Sequence, residues 1–298
     1  MTSKAAITPP ASVAVIGLGN MGVPMANCLS RAGFQVTGFD LSEAARQRFT
    51  SAGGKSAADA AGAVSTADVV VTLLPDGKAV RAALEGLKKN LKPGAIVMEM
   101  SSSAPLGTRA LGEAFIADGF EFIDAPVSGG VKRAVDGTLA IMAGGDGATI
   151  DRVDALLSAM GRSIFRTGAL GSGHAMKALN NYVSAAGLVA AVEATNIGEK
   201  FGLNPDLIAD ILNASTGRNN TTEVKLKQFI ISKTFNAGFP LRLMAKDVRT
   251  ANDLAHAIGV PSPLADTCAQ LWDDAARSLD DKADHTAVGR YIEKLKTP

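Results

Sequence analysis

Three glycines near the amino terminus have the spacing of a phosphate-binding turn. Gly17, Gly19 and Gly22 follow the apolar run "VAVI" and precede a stretch with helical spacing. In such a turn the first glycine permits a tight bend, the second lets the backbone approach a pyrophosphate, and the third lets helix and strand pack closely. The helix amino terminus adds free N–H groups and a positive dipole end. We therefore predict that a dinucleotide contacts Gly17, Leu18, Gly19, Asn20, Met21 and Gly22.

Asp40 ends the next apolar run, eighteen residues after Gly22. A carboxylate at this position accepts hydrogen bonds from the adenosine ribose hydroxyls, and its charge repels a 2′-phosphate. The pattern predicts NAD as the cofactor, with NADP less favoured. Two alternatives stay open at this point: the glycines form an ordinary turn in an unrelated α/β domain, and Asp40 is a helix cap before "LSEAARQRF".

The elements that must position these residues alternate in the first half of the chain. Apolar, β-rich runs lie at 13–17, 35–40, 69–74, 95–100, 120–126, 139–145 and 163–167. Stretches with helical spacing lie between them at 42–52, 77–90, 105–118 and 147–160. Near-continuous apolar strands that alternate with helices predict an α/β, Rossmann-type domain whose mostly parallel sheet is covered on both faces.

The second half has a different pattern, because β-rich runs stop after Gly173. Apolar residues at steps of three or four predict one long interdomain helix over 174–201, roughly 40 Å long at 1.5 Å per residue. That series is Met176, Leu179, Val183, Gly187, Ala190, Ala194 and Ile197. Further helices are predicted at 205–214, 222–232, 241–258 and 262–278. The predicted organisation is a flexible tail at 1–12, a dinucleotide-binding domain at 13–170 and an all-α domain at 171–298.

Composition excludes several classes of function. The 298 residues carry 30 basic and 29 acidic side chains, so no basic excess points to nucleic acid or a membrane surface. Two distant cysteines and three histidines make no disulfide framework and no metal-ligand cluster, which favours a reducing, cytoplasmic location without a metal. The apolar stretch 183–198 is too short and too polar to span a bilayer, and the first residues lack a signal-peptide run.

Five motifs occur in an order that characterises one family. They are "GLGNMGVPMA" (17–26), "TLLPD" (72–76), "DAPVSGG" (124–130), "GSGHAMKALNN" (171–181) and "LMAKD" (243–247). With these motifs the chain, from Val13 to about Lys294, resembles the β-hydroxyacid dehydrogenases. That family includes 3-hydroxyisobutyrate dehydrogenases, tartronate semialdehyde reductases and glyoxylate reductases, and it is related to the longer 6-phosphogluconate dehydrogenases.

The resemblance implies a role for particular residues. The catalytic lysine is Lys177, and Asn181 is the substrate asparagine. Implied cofactor contacts are Leu74, Pro75, Ser102 and Lys246, and implied contacts to the substrate's acid group are Ser128, Gly129 and Gly130. The resemblance also implies a homodimer or a homotetramer.

These residue types suit hydride transfer. Oxidation of an alcohol needs a base for the hydroxyl proton, and burial beside a cationic nicotinamide lowers a lysine pKa from about 10.4 toward the working pH. Asn181 lies one helical turn after Lys177 and on the same helix face. Consecutive glycines after a strand expose N–H groups that suit a carboxylate. If the resemblance is set aside, the structural alternatives are a solvent-exposed Lys177, an Asn181 that packs between helices, and a flexible loop at 128–130.

The sequence thus predicts an NAD-dependent oxidoreductase of small β-hydroxyacids, with Lys177 as the general acid/base. Two alternatives stay open: an aldehyde or keto-acid reductase of the tartronate semialdehyde or glyoxylate type, and a non-catalytic dinucleotide-binding scaffold. Lys132 and Arg133 depart from the small or neutral residues usual in the family, so one of Arg133 and Arg242 is a candidate partner for a second anionic group on the substrate. His174 is expected to be structural, and Trp272 to pack in a core or an interface.

Overall fold

The computed structural model describes residues 4–295 of the protein. The chain divides after Lys177 into two compact units. The first unit is built on a nine-stranded sheet. The regular elements of the second unit, over its described residues, are all helices.

The strands and helices of the first unit alternate along the chain. The strands are β1 (Ser12–Ile16), β2 (Gln35–Phe39), β3 (Lys55–Ser56), β4 (Val69–Thr72), β5 (Ile96–Glu99), β6 (Glu121–Asp124), β7 (Val127–Ser128), β8 (Leu139–Gly145) and β9 (Gly161–Gly168). The helices are α1 (Gly22–Arg31), α2 (Glu43–Ser51), α3 (Ala60–Val64), α4 (Gly77–Leu87), α5 (Pro105–Ala117), α6 (Gly130–Asp136), α7 (Gly147–Arg152) and α8 (Asp154–Met160).

The strand order is β3-β2-β1-β4-β5-β6-β8-β7, with β9 paired to β8. All neighbours from β3 to β6 are parallel, whereas β8 runs antiparallel to β6 and β7. The chain reverses its direction of travel across the sheet between β1 and β4, and ligands of such sheets bind at this switch point, outside the carboxyl ends of the strands. The predicted Rossmann-type, mostly parallel sheet is therefore confirmed.

Both faces of the sheet are buried along its central strands β1, β4 and β5, because helices cover each face. In β1, Val13 and Val15 pack into the apolar cluster on one face, and Ala14 and Ile16 pack into the cluster on the other. This explains why the strands are near-continuous apolar runs in the sequence.

The elements that sequence patterns missed or merged in this unit are short. The run at 120–126 forms only β6, and the helical stretch at 147–160 divides at Val153 into α7 and α8. Strands β3 and β7 and helices α3 and α6 were not predicted. Elements of two to seven residues contain too little of a period to be recognised.

The second unit contains helices that follow the first unit's last strand. The long helix α9 (Ser172–Phe201) begins in the first unit and continues into the second. The others are α10 (Pro205–Ala214), α11 (Asn220–Val224), α12 (Leu241–Ala257), α13 (Pro263–Ser278) and α14 (Val288–Lys294), with a π-helical stretch at Leu226–Ile231. Their common core surrounds the fully buried Trp272 and includes Leu188, Val192 and Met244. The predicted all-α second half and its long helix are confirmed.

The apolar series that predicted α9 does not mark its buried face. Val183 and Ile197 are 67% and 71% exposed, whereas Ala185, Leu188 and Val192 on another face are fully buried. The buried residues repeat with the same helical period as the predicted series, so the period identifies the helix but not which of its two apolar faces lies in the core.

Candidate functional site

The glycine turn between β1 and α1 has the geometry that its spacing predicts. Gly17 has φ +105°, and a Cβ there would lie 2.2 Å from the carbonyl oxygen of Leu73. A Cβ on Gly22 would lie 1.9 Å from the carbonyl oxygen of Gly17, so α1 can pack on the turn only through a glycine. Gly19 is exposed, and a Cβ there would meet nothing within 4 Å. Gly17 and Gly22 therefore leave no room for a side chain, whereas Gly19 faces open space. This arrangement fits the approach of a dinucleotide pyrophosphate to the backbone of Gly19.

Asp40 joins the glycine turn to the end of β2. Its Oδ2 accepts a hydrogen bond from the Leu18 amide at 2.8 Å, and its Oδ1 accepts one from the Ser42 amide, also at 2.8 Å. The cap of α2 is Ser42 and not Asp40. The Leu18 side chain is fully buried in the core, so only the backbone of this residue faces the turn. Each Asp40 oxygen keeps a second lone pair for a ribose hydroxyl.

The last residues of four parallel strands form a row across the sheet. Ile16, Thr72, Glu99 and Asp124 are Cα partners in register, and the three polar ones are fully buried. The loops that follow this row carry Leu74 and Pro75 after β4, and Ser102 after β5. The predicted cofactor contacts of the first unit therefore leave the sheet at one edge.

A buried serine ties two of these loops together. Ser101 donates its hydroxyl to the Thr72 carbonyl at 3.3 Å and accepts a hydrogen bond from the Leu74 amide at 3.0 Å. The loop of Leu74 is thereby held against the loop of Ser102. Ser102 is not the cap of α5, because that position is Ala104.

The segment Ser128-Gly129-Gly130 follows β6 through the short strand β7. Gly129 and Gly130 are exposed and have φ +136° and +70°, values that only glycine adopts without strain. The side chain of Arg133 folds back over Gly129, because a Cβ there would lie 2.6 Å from Arg133 Cδ. Arg242, the other candidate for a second anionic group, forms an ion pair with Asp281 in the second unit.

Lys177 lies in the second turn of α9 and is half-buried. The start of this helix is attached to the carboxyl edge of the sheet by Asp124, which accepts hydrogen bonds from the amides of Gly171 at 2.7 Å and His174 at 2.8 Å. Gly173 allows this close approach, since a Cβ there would lie 2.2 Å from the Met142 carbonyl oxygen. Lys177 is thus carried by a helix end that is bonded to the same edge as the glycine turn.

In the second unit, Asn181 is held by Asp247. Asn181 Nδ2 donates to Asp247 Oδ2 at 2.5 Å, its Oδ1 accepts from Asn180 Nδ2 at 3.1 Å, and Lys246 Nζ lies 3.3 Å from Asp247 Oδ1. A carboxylate only accepts hydrogen bonds, which fixes the orientation of the Asn181 amide. Because Asn181 and Asp247 are both buried, the amide has a defined position one turn after Lys177.

Comparison with known proteins places this arrangement in a family. Residues 12–168 match the model of the NAD binding domain of 6-phosphogluconate dehydrogenase, and residues 171–292 match the NAD-binding model of NADP-dependent 3-hydroxyisobutyrate dehydrogenase. The NAD-dependent L-serine dehydrogenase of Pseudomonas aeruginosa is 36% identical over 87% of this chain and 90% of its own length. The chain belongs to the β-hydroxyacid dehydrogenase family.

Two further relatives support the assignment to the β-hydroxyacid dehydrogenases. The 2-(hydroxymethyl)glutarate dehydrogenase of Eubacterium barkeri is 32% identical over 95% of each chain. The structure of Mycobacterium tuberculosis 3-hydroxyisobutyrate dehydrogenase with L-serine superposes with a TM-score of 0.89 at 33% identity, over 95% of this chain and 99% of that one. As a member of this family the protein is an oxidoreductase with an NAD-binding amino-terminal half.

Three acidic residues near the predicted site residues of this β-hydroxyacid dehydrogenase were not identified from the sequence. They are Glu99, Asp124 and Asp247, all buried. The available signal was a carboxylate at the end of an otherwise apolar strand for the first two, and a carboxylate directly after Lys246 for the third. Among residues 4–295, no group of three or more His, Cys, Asp or Glu side chains is arranged to hold a metal ion. None of the described helices has the length and hydropathy of a membrane span.

Proposed function

We propose that the protein transfers a hydride between NAD and a small β-hydroxyacid or its semialdehyde, with Lys177 as the general acid/base. One observation carries the proposal: Asp124 bonds the start of α9, and with it Lys177, to the sheet edge from which the glycine turn also leaves. When it is bound, the nicotinamide ring accepts or donates the hydride. The cradle around Gly19 and the carboxylate of Asp40 are the groups that would hold the dinucleotide.

In the direction of oxidation, Lys177 takes the proton of the substrate hydroxyl, and in the direction of reduction it returns that proton. A lysine does this efficiently when its pKa lies near the working pH. General acid/base catalysis of this kind contributes about 10²- to 10⁴-fold to the rate. Asn181, one helical turn further on, orients the hydroxyl, and Asp247 fixes its amide for that purpose. The same groups serve both directions, so the physiological direction follows from substrate supply.

The acid group of the substrate is assigned to Ser128, Gly129 and Gly130. The two exposed glycines present backbone N–H groups, and the Ser128 hydroxyl can donate a further hydrogen bond. The proposed anion-binding loop follows β6, the strand whose last residue, Asp124, accepts the amides at the start of α9.

The names of the relatives point to one substrate class. L-Serine, 2-(hydroxymethyl)glutarate and 3-hydroxyisobutyrate all contain a 3-hydroxypropanoate unit and differ only in the substituent on its second carbon. We infer that this protein acts on 3-hydroxypropanoates of this kind. A reductase of tartronate semialdehyde or glyoxylate, and a scaffold without turnover, remain the alternatives.

A substrate screen tests the proposal. Wild-type protein is mixed with NAD or NADP and a panel of serine, 3-hydroxyisobutyrate, 2-(hydroxymethyl)glutarate, glycerate and glycolate, and NADH formation is followed by fluorescence. We expect turnover with NAD on at least one 3-hydroxypropanoate, and a loss of about 10²-fold or more in kcat for Lys177→Ala. Tight NADH binding without turnover of any panel member would support the scaffold, and full activity of the alanine variant would remove Lys177 from its role.

We also propose that a second copy of the chain covers the exposed apolar residues of α9 and α10, giving a homodimer or a homotetramer. Val183, Ile197, Phe201, Leu207 and Ile211 are each more than half exposed, a density of large apolar side chains that marks association surfaces. Light scattering at micromolar concentration is expected to show an oligomer, and Ile197→Glu is expected to weaken it. A strict monomer contradicts this proposal.

Both cysteines are free and buried, in keeping with a reducing compartment such as the cytoplasm.

A further inference from the structure

Three charged side chains lie buried at the carboxyl edge of β5 and β6. His174 Nε2 is 2.9 Å from Glu99 Oε2, and His174 Nδ1 is 3.3 Å from Asp124 Oδ2. Glu99 and Asp124 are fully buried and His174 is 1% exposed. We refer to these three residues as the buried triad.

The two carboxylates of the triad favour the imidazolium form of His174. Burial by itself lowers the pKa of His174, but the charge of Glu99 and the hydrogen bonds to Asp124 and Glu99 outweigh burial and raise this pKa to about 10. For Glu99, burial raises the pKa, and His174 and Ser101 together bring it below its usual range. One positive and two negative charges give the triad a net charge of −1.

The triad is bonded both to the start of α9, which carries Lys177, and to the predicted cofactor-binding loop of Leu74. Asp124 accepts the two backbone amides at the start of α9, and Glu99 accepts the Ser101 amide at 2.8 Å. Ser101 in turn accepts the Leu74 amide. Moving the imidazole therefore disturbs the support of a predicted cofactor loop and of the lysine-bearing helix together.

Stability alone is a poor reason for such an arrangement. Replacing a buried ion triad by apolar side chains of similar volume is often neutral or stabilising, so the triad is better explained by the position that it gives to the backbone groups bonded to it. His174 is at i−3 from Lys177, so the two side chains are neighbours on one helix face.

We propose that His174 is a positioning residue: with Glu99 and Asp124 it holds the first turn of α9, and thereby Lys177, on the carboxyl edge of β5 and β6. The inference rests on the function proposed above for Lys177. The titratable groups that face His174 are Glu99 from β5 and Asp124 from β6. Neither touches substrate in this proposal; they act through the helix.

The test compares His174→Gln with a matched control. His285 is a second buried histidine, 3% exposed, whose Nδ1 is 3.3 Å from Asp284 Oδ1 in the second unit. We expect H174Q to lower kcat by about tenfold or more while KM changes by less than about threefold, because a misplaced base affects the chemical step. H285Q is expected to lower the melting temperature without this loss of kcat.

A pH profile separates positioning from simple destabilisation. H174Q leaves two uncompensated carboxylates beside the start of α9, which raises the pKa of a neighbouring lysine, so the acidic limb of kcat/KM is expected to move up by about half a pH unit or more. The double variant E99Q/H174Q has the wild-type net charge of −1 and is expected to bring the limb back. It also serves if H174Q alone does not fold.

Hydrogen exchange makes the test independent of turnover. The amides of Gly171 and His174, which donate to Asp124, are expected to exchange about tenfold faster or more in H174Q than in wild type or H285Q. If the wild type turns over no hydroxyacid, the proposed function fails while this measurement still decides the positioning. Folded H174Q with wild-type kcat, pH limb and exchange would overturn the inference.

Discussion

Substitution by alanine should have different effects at two glycines of the same turn. Gly22→Ala should reduce stability, whereas Gly19→Ala should reduce affinity for the cofactor. Gly22→Ala places a Cβ 1.9 Å from the Gly17 carbonyl oxygen, more than 1 Å short of the 3.0 Å that real Cβ atoms keep. Both partners are backbone, so α1 must move as a whole, and overpacking of this kind costs about 1–3 kcal/mol or more. Gly19→Ala meets nothing within 4 Å and needs no positive φ, so its folded state is unstrained. Alanine there is expected to change stability by less than about 1 kcal/mol.

Cofactor binding is expected to separate the two variants further. G19A puts a methyl group where the backbone must approach the pyrophosphate, so the Kd for NADH should rise about tenfold or more, which corresponds to about 1.4 kcal/mol. Gly86 in α4, also without a neighbour within 4 Å, provides a control, and G86A should bind NADH normally.

The measurements are urea unfolding and NADH fluorescence titration on the three variants. G22A should lose stability, G19A should lose affinity alone, and G86A should lose neither. A G19A protein that binds NADH as tightly as wild type would refute the assignment of this turn as the cradle. A G22A protein with unchanged stability would refute the packing argument.

Three further predictions concern charged residues. Asp40→Ser should raise the ratio of kcat/KM for NADP to that for NAD about tenfold or more, because the charge that repels a 2′-phosphate is gone; a wild type that already prefers NADP tenfold would contradict it. The same change should lower the urea midpoint, since the Leu18 and Ser42 amides lose their acceptor. The free energy of unfolding should fall as pH rises from 6.5 toward about 10, because folded His174 keeps a proton that the unfolded chain has already lost. Urea titrations at about pH 6 and 9.5 should show that the free energy of unfolding falls by at most about 4 kcal/mol, at 1.4 kcal/mol per pKa unit. The H174Q variant should lack this fall, and an equal fall in both proteins would count against the raised pKa of His174. Asp247→Asn should reduce kcat by about tenfold, because it replaces a charge-assisted bond to the Asn181 amide, while NADH affinity, measured by fluorescence, stays within about twofold; unchanged kcat would show that Asn181 needs no such support.

The parts of the site that sequence reasoning located are those whose function depends on local spacing. Gly17, Gly19 and Gly22 sit within six residues, and their roles follow from the bend and the close helix approach that the strand–turn–helix demands. The roles predicted for Lys177 and Asn181 came from the five family motifs and stay predictions. The mostly parallel sheet followed from the alternation of strands and helices, whereas its strand order was seen only in the structure.

What sequence reasoning missed depends on partners that are distant along the chain. Asn181 and Asp247 are 66 residues apart, and His174 is 50 residues from Asp124. In the sequence, a carboxylate that is buried in the fold cannot be distinguished from an exposed one until its partner is known. The face of α9 was missed for another reason: alanine and glycine pack on either side of a helix, so the apolar period identifies the helix but not the direction of its core.

The position of Lys177 at the end of the first unit has a consequence for recombination between relatives. Because Asp124 and Glu99 contact residues up to His174, a chimera cut at the end of β9 would take the start of α9 and the carboxylates that contact it from different parents. A crossover after residue 177 keeps this network whole. Any such hybrid would take its NAD-binding half and Lys177 from one parent, leaving only the remaining helices to be exchanged.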